Sequence, residues 1–259
     1  MKKIHSQDGT PIAFNQSGQG PAIILVLGAF NDQATGAPLA AHLSERFTVF
    51  NYDRRGRGDS GDTAPYAVDR EIEDLAALIK EAGGSASVFG YSSGATLSLK
   101  AAARGLAITK LVLYEPPLIV DDSRPRPPQD LAAQISDLVL AGRRGEAVEL
   151  FQTKGVGIPV EVVAQLRHAP FRPALENMAH TLVYEMTILG DMSVPTELVD
   201  SVTVPTLVMD GGDSPAFLRN GAQALVDALP NAQHCRLPGQ THDIVPAVMA
   251  PVLEEFFAG

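Results

Sequence analysis

Cysteine occurs once in the 259 residues, at Cys235. A single thiol excludes an intramolecular disulfide framework and any multi-cysteine zinc site, and it fits a reducing compartment. Positive charge is scarce as well, with 20 Lys and Arg against 30 Asp and Glu and a formal net charge of −10. Sequence-independent binding to nucleic acid needs clustered Lys and Arg, and the basic runs at Arg54, Arg55 and Arg57 and at Arg143-Arg144 are too short to supply it. Long apolar runs are missing too: Pro21 to Phe30 falls well short of the roughly 20 residues of a membrane span. The opening MKKIHSQDGTPIAF has two lysines but no apolar segment behind them, so it does not read as a secretory signal. Clustered His and Cys at ligand spacing, a dinucleotide fingerprint and a Walker loop are all absent. The expectation is a cytoplasmic protein without metal or cofactor, with a small molecule rather than nucleic acid or membrane as its partner; nothing in the sequence bears on its oligomeric state.

The apolar content of 45% is ample for a core in one large α/β domain carrying an insertion. Runs of Val, Ile and Leu bounded by Gly, Pro and Asp alternate with segments of helical periodicity, the pattern of a mostly parallel sheet with crossover helices. Central strands are expected at Ala22 to Leu27, Phe47 to Tyr52, Ser85 to Phe89, Ile108 to Tyr114, Thr206 to Asp210 and Gln233 to Leu237. Before them, KKIHSQ and PIAFNQ flank Asp8-Gly9, a hairpin signal that puts an antiparallel pair at the sheet edge. Asp69 to Glu81 carries the apolar stripe of an amphipathic helix, and Leu97 to Ala103 is apolar on most sides and so buried. Between Pro116 and Pro205 strand-like runs disappear. After the proline-rich SRPRPPQD, helices are expected at Gln129 to Ala141, Glu146 to Thr153, Val160 to Arg167 and Arg172 to Leu189. This reads as an inserted helical layer, residues 116–200, within a core formed by 1–115 and 201–259.

The stretch GYSSGA follows the strand ending at Phe89 and opens the next helix. Gly-x-Ser-x-Gly at a strand-to-helix turn is a nucleophile elbow, whose small flanking residues let the backbone turn tightly and expose the central hydroxyl. Gly90 and Gly94 are the glycines and Ser92 the candidate nucleophile. Ser93 falls on the first helical turn, where its backbone N–H and the helix dipole would face an oxyanion. Among the six histidines, His242 lies in LPGQTHDIVP, between the last strand and the last helix, at the carboxyl edge where open parallel sheets place ligands. His5 belongs to the hairpin, His42 to a helix and His234 to a strand, while His168 and His180 lie in the helical layer. A base of this kind is oriented by a carboxylate on its other nitrogen. VPTLVMDGGDSP offers Asp210 and Asp213; Asp213, three residues into the loop, is favoured, with Glu115 of KLVLYEPP and Asp210 as the alternatives. Gly28-Ala29, after the first long strand, provides a backbone that can approach a ligand closely and supply a second N–H.

Together these residues resemble the α/β-hydrolase superfamily, in the chain order Ser92, Asp213, His242 and over nearly the whole chain. NYDRRGRGDS is similar to the family's Asp-x-Arg-Gly-x-Gly-x-Ser stretch, matched by Asp53, Arg55, Gly56, Gly58 and Ser60, which in such proteins shapes a loop. The resemblance implies an eight-stranded, mostly parallel sheet in the order 1-2-4-3-5-6-7-8, with helices on its faces and residues 116–200 as a cap over the site. It also implies that Ala29 supplies the second oxyanion N–H. Leu27-Gly28 stands where most relatives have His-Gly, and Asp210 where relatives often have glycine.

Epoxide hydrolases and haloalkane dehalogenases of this fold use an aspartate at the elbow, so Ser92 argues for acyl chemistry instead. The expected function is hydrolysis of a carboxylic ester or lactone of a small to medium apolar substrate. Phe30, Tyr91, Phe151, Met178, Tyr184 and Met186 are the candidate pocket residues. Leu138, Leu150, Leu182 and Met192 offer further apolar surface in the cap. C–C hydrolysis, acyl transfer or cofactor-free perhydrolysis on the same residues is the alternative, and a ligand-binding protein that has lost turnover is a third reading.

Overall fold

Alternation along the central strands dictates a sheet covered on both faces. In the computed structural model, which describes residues 1–259, Ile24 and Val26 of one strand enter one apolar cluster while Ile23 and Leu25 enter another. Successive side chains of a strand point to opposite faces, so a run that is apolar throughout must be buried on both. Eight strands result: β1 (Lys2–His5), β2 (Pro11–Ser17), β3 (Ala22–Val26), β4 (Thr48–Tyr52), β5 (Ala86–Tyr91), β6 (Ile108–Tyr114), β7 (Thr206–Gly211) and β8 (Ala232–Leu237). Their order is β1-β2-β4-β3-β5-β6-β7-β8. The hairpin β1–β2 is antiparallel, β2 pairs antiparallel with β4, and every other pairing is parallel.

One face is covered by α2 (Val68–Glu81), α3 (Ser93–Ala103) and α10 (Ala216–Ala228), the other by α1 (Gln33–Leu43) and α11 (Pro246–Ala258). Helix α2 shows why periodicity suffices: Ile72, Leu75, Leu78 and Ile79 recur at helical spacing and are the apolar residues it buries, beside Glu71 and Asp74.

Between β6 and β7 lie α4 (Leu131–Leu140), α5 (Arg144–Leu150), a π-helical segment at Phe151–Val156, α6 (Val160–Leu166), α7 (Arg172–Asn177), α8 (Leu182–Leu189) and α9 (Thr196–Val199). These helices hold an apolar cluster of their own around Leu131, Ile135, Val148, Phe151, Leu182 and Met186. The single helix expected from Arg172 to Leu189 is broken in two. The side chain of Arg144 donates to the carbonyls of Glu176 and Asn177, both at 2.8 Å, and so takes acceptors that a continuous helix would use. A 3₁₀ turn at Ala179–Thr181 joins the halves.

Candidate active site

Ser92 sits between β5 and α3 with φ 56° and ψ −124°, a conformation that L residues rarely adopt. The neighbouring glycines make the turn possible by close approach rather than by their own dihedrals. A Cβ on Gly94 would lie 2.1 Å from the Val26 carbonyl oxygen, and one on Gly90 2.7 Å from Cα of Ala95. The N–H of Ser92 donates to the Tyr114 carbonyl at 2.9 Å, fixing the turn to the end of β6.

His242 reaches Ser92 from the loop after β8: its Nε2 is 3.2 Å from Ser92 Oγ. Two tyrosines at strand ends hold that loop. Tyr91 donates its hydroxyl to the His242 carbonyl at 2.8 Å, with its ring centroid 5.0 Å from the imidazole, and Tyr114 donates to the Thr241 carbonyl at 2.5 Å.

The carboxylate on the other imidazole nitrogen is Glu115, and this corrects the expectation of Asp213. Glu115 Oε2 is 2.5 Å from His242 Nδ1, while its Oε1 accepts the Gly211 N–H at 2.7 Å. Glu115 is fully buried, and its φ of 48° turns it off the end of β6 ahead of Pro116-Pro117. It therefore fills the space between the end of β7 and the histidine loop. Asp213 is pinned by its backbone, whose N–H donates to the Gln240 carbonyl at 2.9 Å, and its side chain is exposed. Asp210 is committed elsewhere, to His234 Nε2 at 2.5 Å and Arg236 Nε at 2.6 Å across the β7–β8 pair.

Ala29 and Ser93 line the same cavity as Ser92, and neither of their backbone N–H groups takes part in the turn and loop hydrogen bonds of the protein. Where a His-Gly pair was missing from the sequence, two arginines anchor the Ala29 loop. Arg54 donates to the Leu27 carbonyl at 3.1 Å and Arg57 to the Gly28 carbonyl at 2.7 Å. Between them lies Glu185 of α8, within 3.2 Å of Arg54 and bonded to Arg57, while Glu71 takes Arg54 in a fork of two 2.7 Å bonds. Burial works to raise the pKa of Glu71, and the charge of Arg54 with its hydrogen bonds outweighs it, so the carboxylate is held below its ordinary value. Asp53 shapes the turn that carries these arginines, accepting from the N–H groups of Gln33 and Asp59 at 2.8 and 3.0 Å. The signal available in sequence was Arg54-Arg55-x-Arg57 directly after an apolar strand.

Ser92, Ser93 and His242 open onto a cavity of about 690 Å³ lined chiefly by apolar groups. Of the candidate pocket residues it takes in Phe30, Tyr91 and Phe151, and Met192 also contributes. The other three lie elsewhere. Met186 packs in the apolar cluster of the helical layer and Met178 is buried where α7 ends. Tyr184 stacks on Tyr66 with centroids 3.8 Å apart and donates to Asp62 at 2.6 Å. His180 bonds Arg144 and His168 is exposed, so neither joins the site.

A serine on a strained strand-to-helix turn, a histidine within reach of it and a buried carboxylate behind the histidine, on an eight-stranded sheet of this order, define the class of α/β hydrolases. The model of the alpha/beta hydrolase family matches residues 23–253, and the chain belongs to that family of hydrolytic enzymes. A solved α/β hydrolase from Sphaerobacter thermophilus is 57% identical, with a TM-score of 0.94 over 99% of this chain and 100% of that one. The enol-lactonase of Burkholderia xenovorans shares the fold, with a TM-score of 0.72 and 21% identity over the whole of both chains. The chain is also 26% identical to a 2-(acetamidomethylene)succinate hydrolase of Mesorhizobium japonicum, over 93% of this chain and 89% of that protein. No helix is long and apolar enough to cross a membrane.

Proposed function

We propose that the protein is a serine hydrolase that cleaves a carboxylic ester or lactone of a small to medium, largely apolar substrate. The observation that carries this reading is the continuous line Ser92 Oγ, His242 Nε2, His242 Nδ1 and Glu115 Oε2 at 3.2 and 2.5 Å. In it, His242 takes the Ser92 proton as Oγ attacks the carbonyl carbon, and Glu115 stabilises the imidazolium that forms. The Ala29 and Ser93 N–H groups receive the oxyanion. His242 returns the proton to the leaving alcohol, and water, activated by the same imidazole, then hydrolyses the acyl-enzyme. The helices between β6 and β7 act as a cap, since Phe151, Val156 and Met192 wall the cavity over Ser92.

Labelling by a fluorophosphonate and turnover of p-nitrophenyl butyrate test the reading. Ser92→Ala is expected to lose both, whereas Ser93→Ala, whose buried hydroxyl has no partner, keeps its N–H and both activities. Ester turnover that survives Ser92→Ala, or diketone cleavage with negligible ester turnover, would replace it.

A further inference from the structure

Arg54, Arg55, Arg57 and Arg172 each face a carboxylate within 3.2 Å. Arg124 is half-buried and, like the half-buried Arg144 and Arg219, has no acidic partner, but it is the one of these three that lines the Ser92 cavity. Its guanidinium lies 4.7 Å above the ring centroid of Phe217, and one N–H group is held by the Gly155 carbonyl. Burial pushes its pKa below the ordinary arginine value, with no neighbouring negative charge to offset the cost. Taking a cation out of water is unfavourable unless a counter-charge completes the site. No Asp, Glu or Lys lines the cavity, so an anionic group of the ligand would be the first counter-charge that Arg124 meets there.

A second polar group belongs to the same wall. Gln152 is 5% exposed and its Oε1 has no hydrogen-bond partner. It sits on the π-helical segment Phe151–Val156, the segment whose Gly155 carbonyl holds Arg124. Single turns of π-helix often occur where a side chain or carbonyl must be aimed at a ligand. A guanidinium without a counter-charge and a carboxamide with an unpaired oxygen thus line one cavity with Ser92.

We propose that Arg124 forms a carboxylate subsite, so that the substrate is an ester or lactone bearing one free carboxylate apart from its scissile carbonyl. The inference rests on the hydrolase reading above and names the substrate class for that site. Phe217 and the Gly155 carbonyl fix the guanidinium plane and leave most of its N–H donors free, and a planar fork matches the two oxygens of a carboxylate. One guanidinium balances one negative charge. A dianionic phosphate monoester would leave a charge uncompensated among apolar walls, which argues for the carboxylate. Gln152 Oε1, an acceptor, suits an N–H or O–H of the substrate and not the carboxylate oxygens.

Two matched ester pairs test the subsite. p-Nitrophenyl hydrogen adipate against p-nitrophenyl methyl adipate places the acid on the acyl side. The butyrate of 4-hydroxybenzoate against the butyrate of methyl 4-hydroxybenzoate places it on the alcohol side. The ratio of kcat/KM for acid over neutral ester is expected to be about tenfold or more in at least one pair. Arg124→Gln should bring that ratio to about one, and Arg124→Lys should keep part of it, since a bidentate fork becomes a point charge. A folding defect lowers both members of a pair alike and leaves the ratio unmoved. A wild-type ratio of one or less in both pairs, or a ratio that survives Arg124→Gln, overturns the proposal. If Ser92→Ala still turns the esters over, the serine reading fails while the ratio continues to report on Arg124. If the wild type turns over none of them, calorimetric titration with monomethyl adipate decides. Binding that Arg124→Gln abolishes supports the subsite, and binding absent from the wild type or unchanged in the variant refutes it.

Discussion

Glu115 Oε2 lies 2.5 Å from His242 Nδ1, although Glu115 ends β6 and the acid expected from sequence follows β7. Both strands end at the same edge of the sheet and are hydrogen-bonded neighbours, so an acid at either end is close to the histidine loop. What separates them is space. A Cβ on Gly211 would meet the Gln240 carbonyl oxygen at 2.4 Å, so the turn after β7 presses against the histidine loop, while Glu115 enters from the adjacent strand and takes the Gly211 N–H. Replacing Glu115 by Gln should lower kcat/KM for an ester about 10³- to 10⁴-fold, because a carboxamide neither holds the imidazole tautomer nor stabilises imidazolium. Asp213→Asn should stay within about threefold of the wild type, as ordinary exposed substitutions do. Steady-state kinetics on both variants decide between the two acids, and a large loss in Asp213→Asn with a mild one in Glu115→Gln would return the role to Asp213.

The glycines around Ser92 separate a folding requirement from a catalytic one. Gly94→Ala would drive a methyl group to 2.1 Å from a backbone oxygen of β3. Backbone cannot step aside, so loss of several kcal/mol is expected, seen as poor expression or a thermal midpoint lowered by 10 °C or more. A methyl group on Gly28 would instead meet Cβ of Ser92 at 2.8 Å and the Tyr91 carbonyl oxygen at 3.0 Å. That displaces Ser92 and the Ala29 loop by a few tenths of an ångström. Gly28→Ala should therefore fold, and lose kcat by about 10²-fold or more, since misplaced reacting groups are costly. Circular dichroism and kinetics on the two proteins test the contrast.

How much of this could be read beforehand depends on whether the determinant is local. The elbow is local: strand, two glycines and a serine lie within one short stretch, and Ser92 and His242 lie where the sequence placed them. The sheet was legible because apolar runs mark strands, and the order of the strands came from the resemblance. Which carboxylate meets the histidine was not legible, because Asp213 and Glu115 differ only in which strand end lies beneath it. Phase also failed in the inserted helices. A break between Asn177 and Leu182 resets the helical register, so Tyr184 and Met186 face Tyr66 and the helical cluster instead of the cavity. Arg54 and Arg57 could be seen as a loop motif, but their reach to the Leu27 and Gly28 carbonyls spans α1 and β4 in the sequence.

The hairpin at the far edge offers a pH test of stability. Asp8 loses solvation on folding, which would raise its pKa. The Thr10 N–H at 3.0 Å and Arg55 at 3.0 Å outweigh this and bring it down to about 2 from 3.8. A carboxylate with a depressed folded pKa binds fewer protons folded than unfolded, so its stabilisation is present above about pH 4 and is lost as pH falls towards 2. Allowing for solvent screening, the effect is of the order of 1 kcal/mol, or about 2 to 4 °C in thermal midpoint. Asp8→Asn should melt lower than the wild type at pH 6 to 7, and the gap should close between pH 4 and 2. A gap independent of pH would assign the effect to lost hydrogen bonds alone.

Glu185 is the one acidic group of the helical layer that reaches the arginines behind the Ala29 loop. It is fully buried between Arg54 and Arg57. Removing one partner of a buried ion pair leaves uncompensated charge and costs about 3 to 5 kcal/mol, so Glu185→Gln should lower stability strongly. Arg57→Lys is the more informative change, since it keeps the positive charge beside Glu185 and loses the fork that donates at once to Glu185 and to the Gly28 carbonyl. With the Ala29 N–H less firmly aimed, stabilisation of the oxyanion weakens while the walls of the cavity stay in place. The expected signature is a fall in kcat of about 10- to 100-fold with KM within about threefold, measured on one ester under saturating and limiting substrate. A rise in KM at constant kcat would mean that Arg57 supports substrate binding through the cap, and that the loop keeps its aim without it.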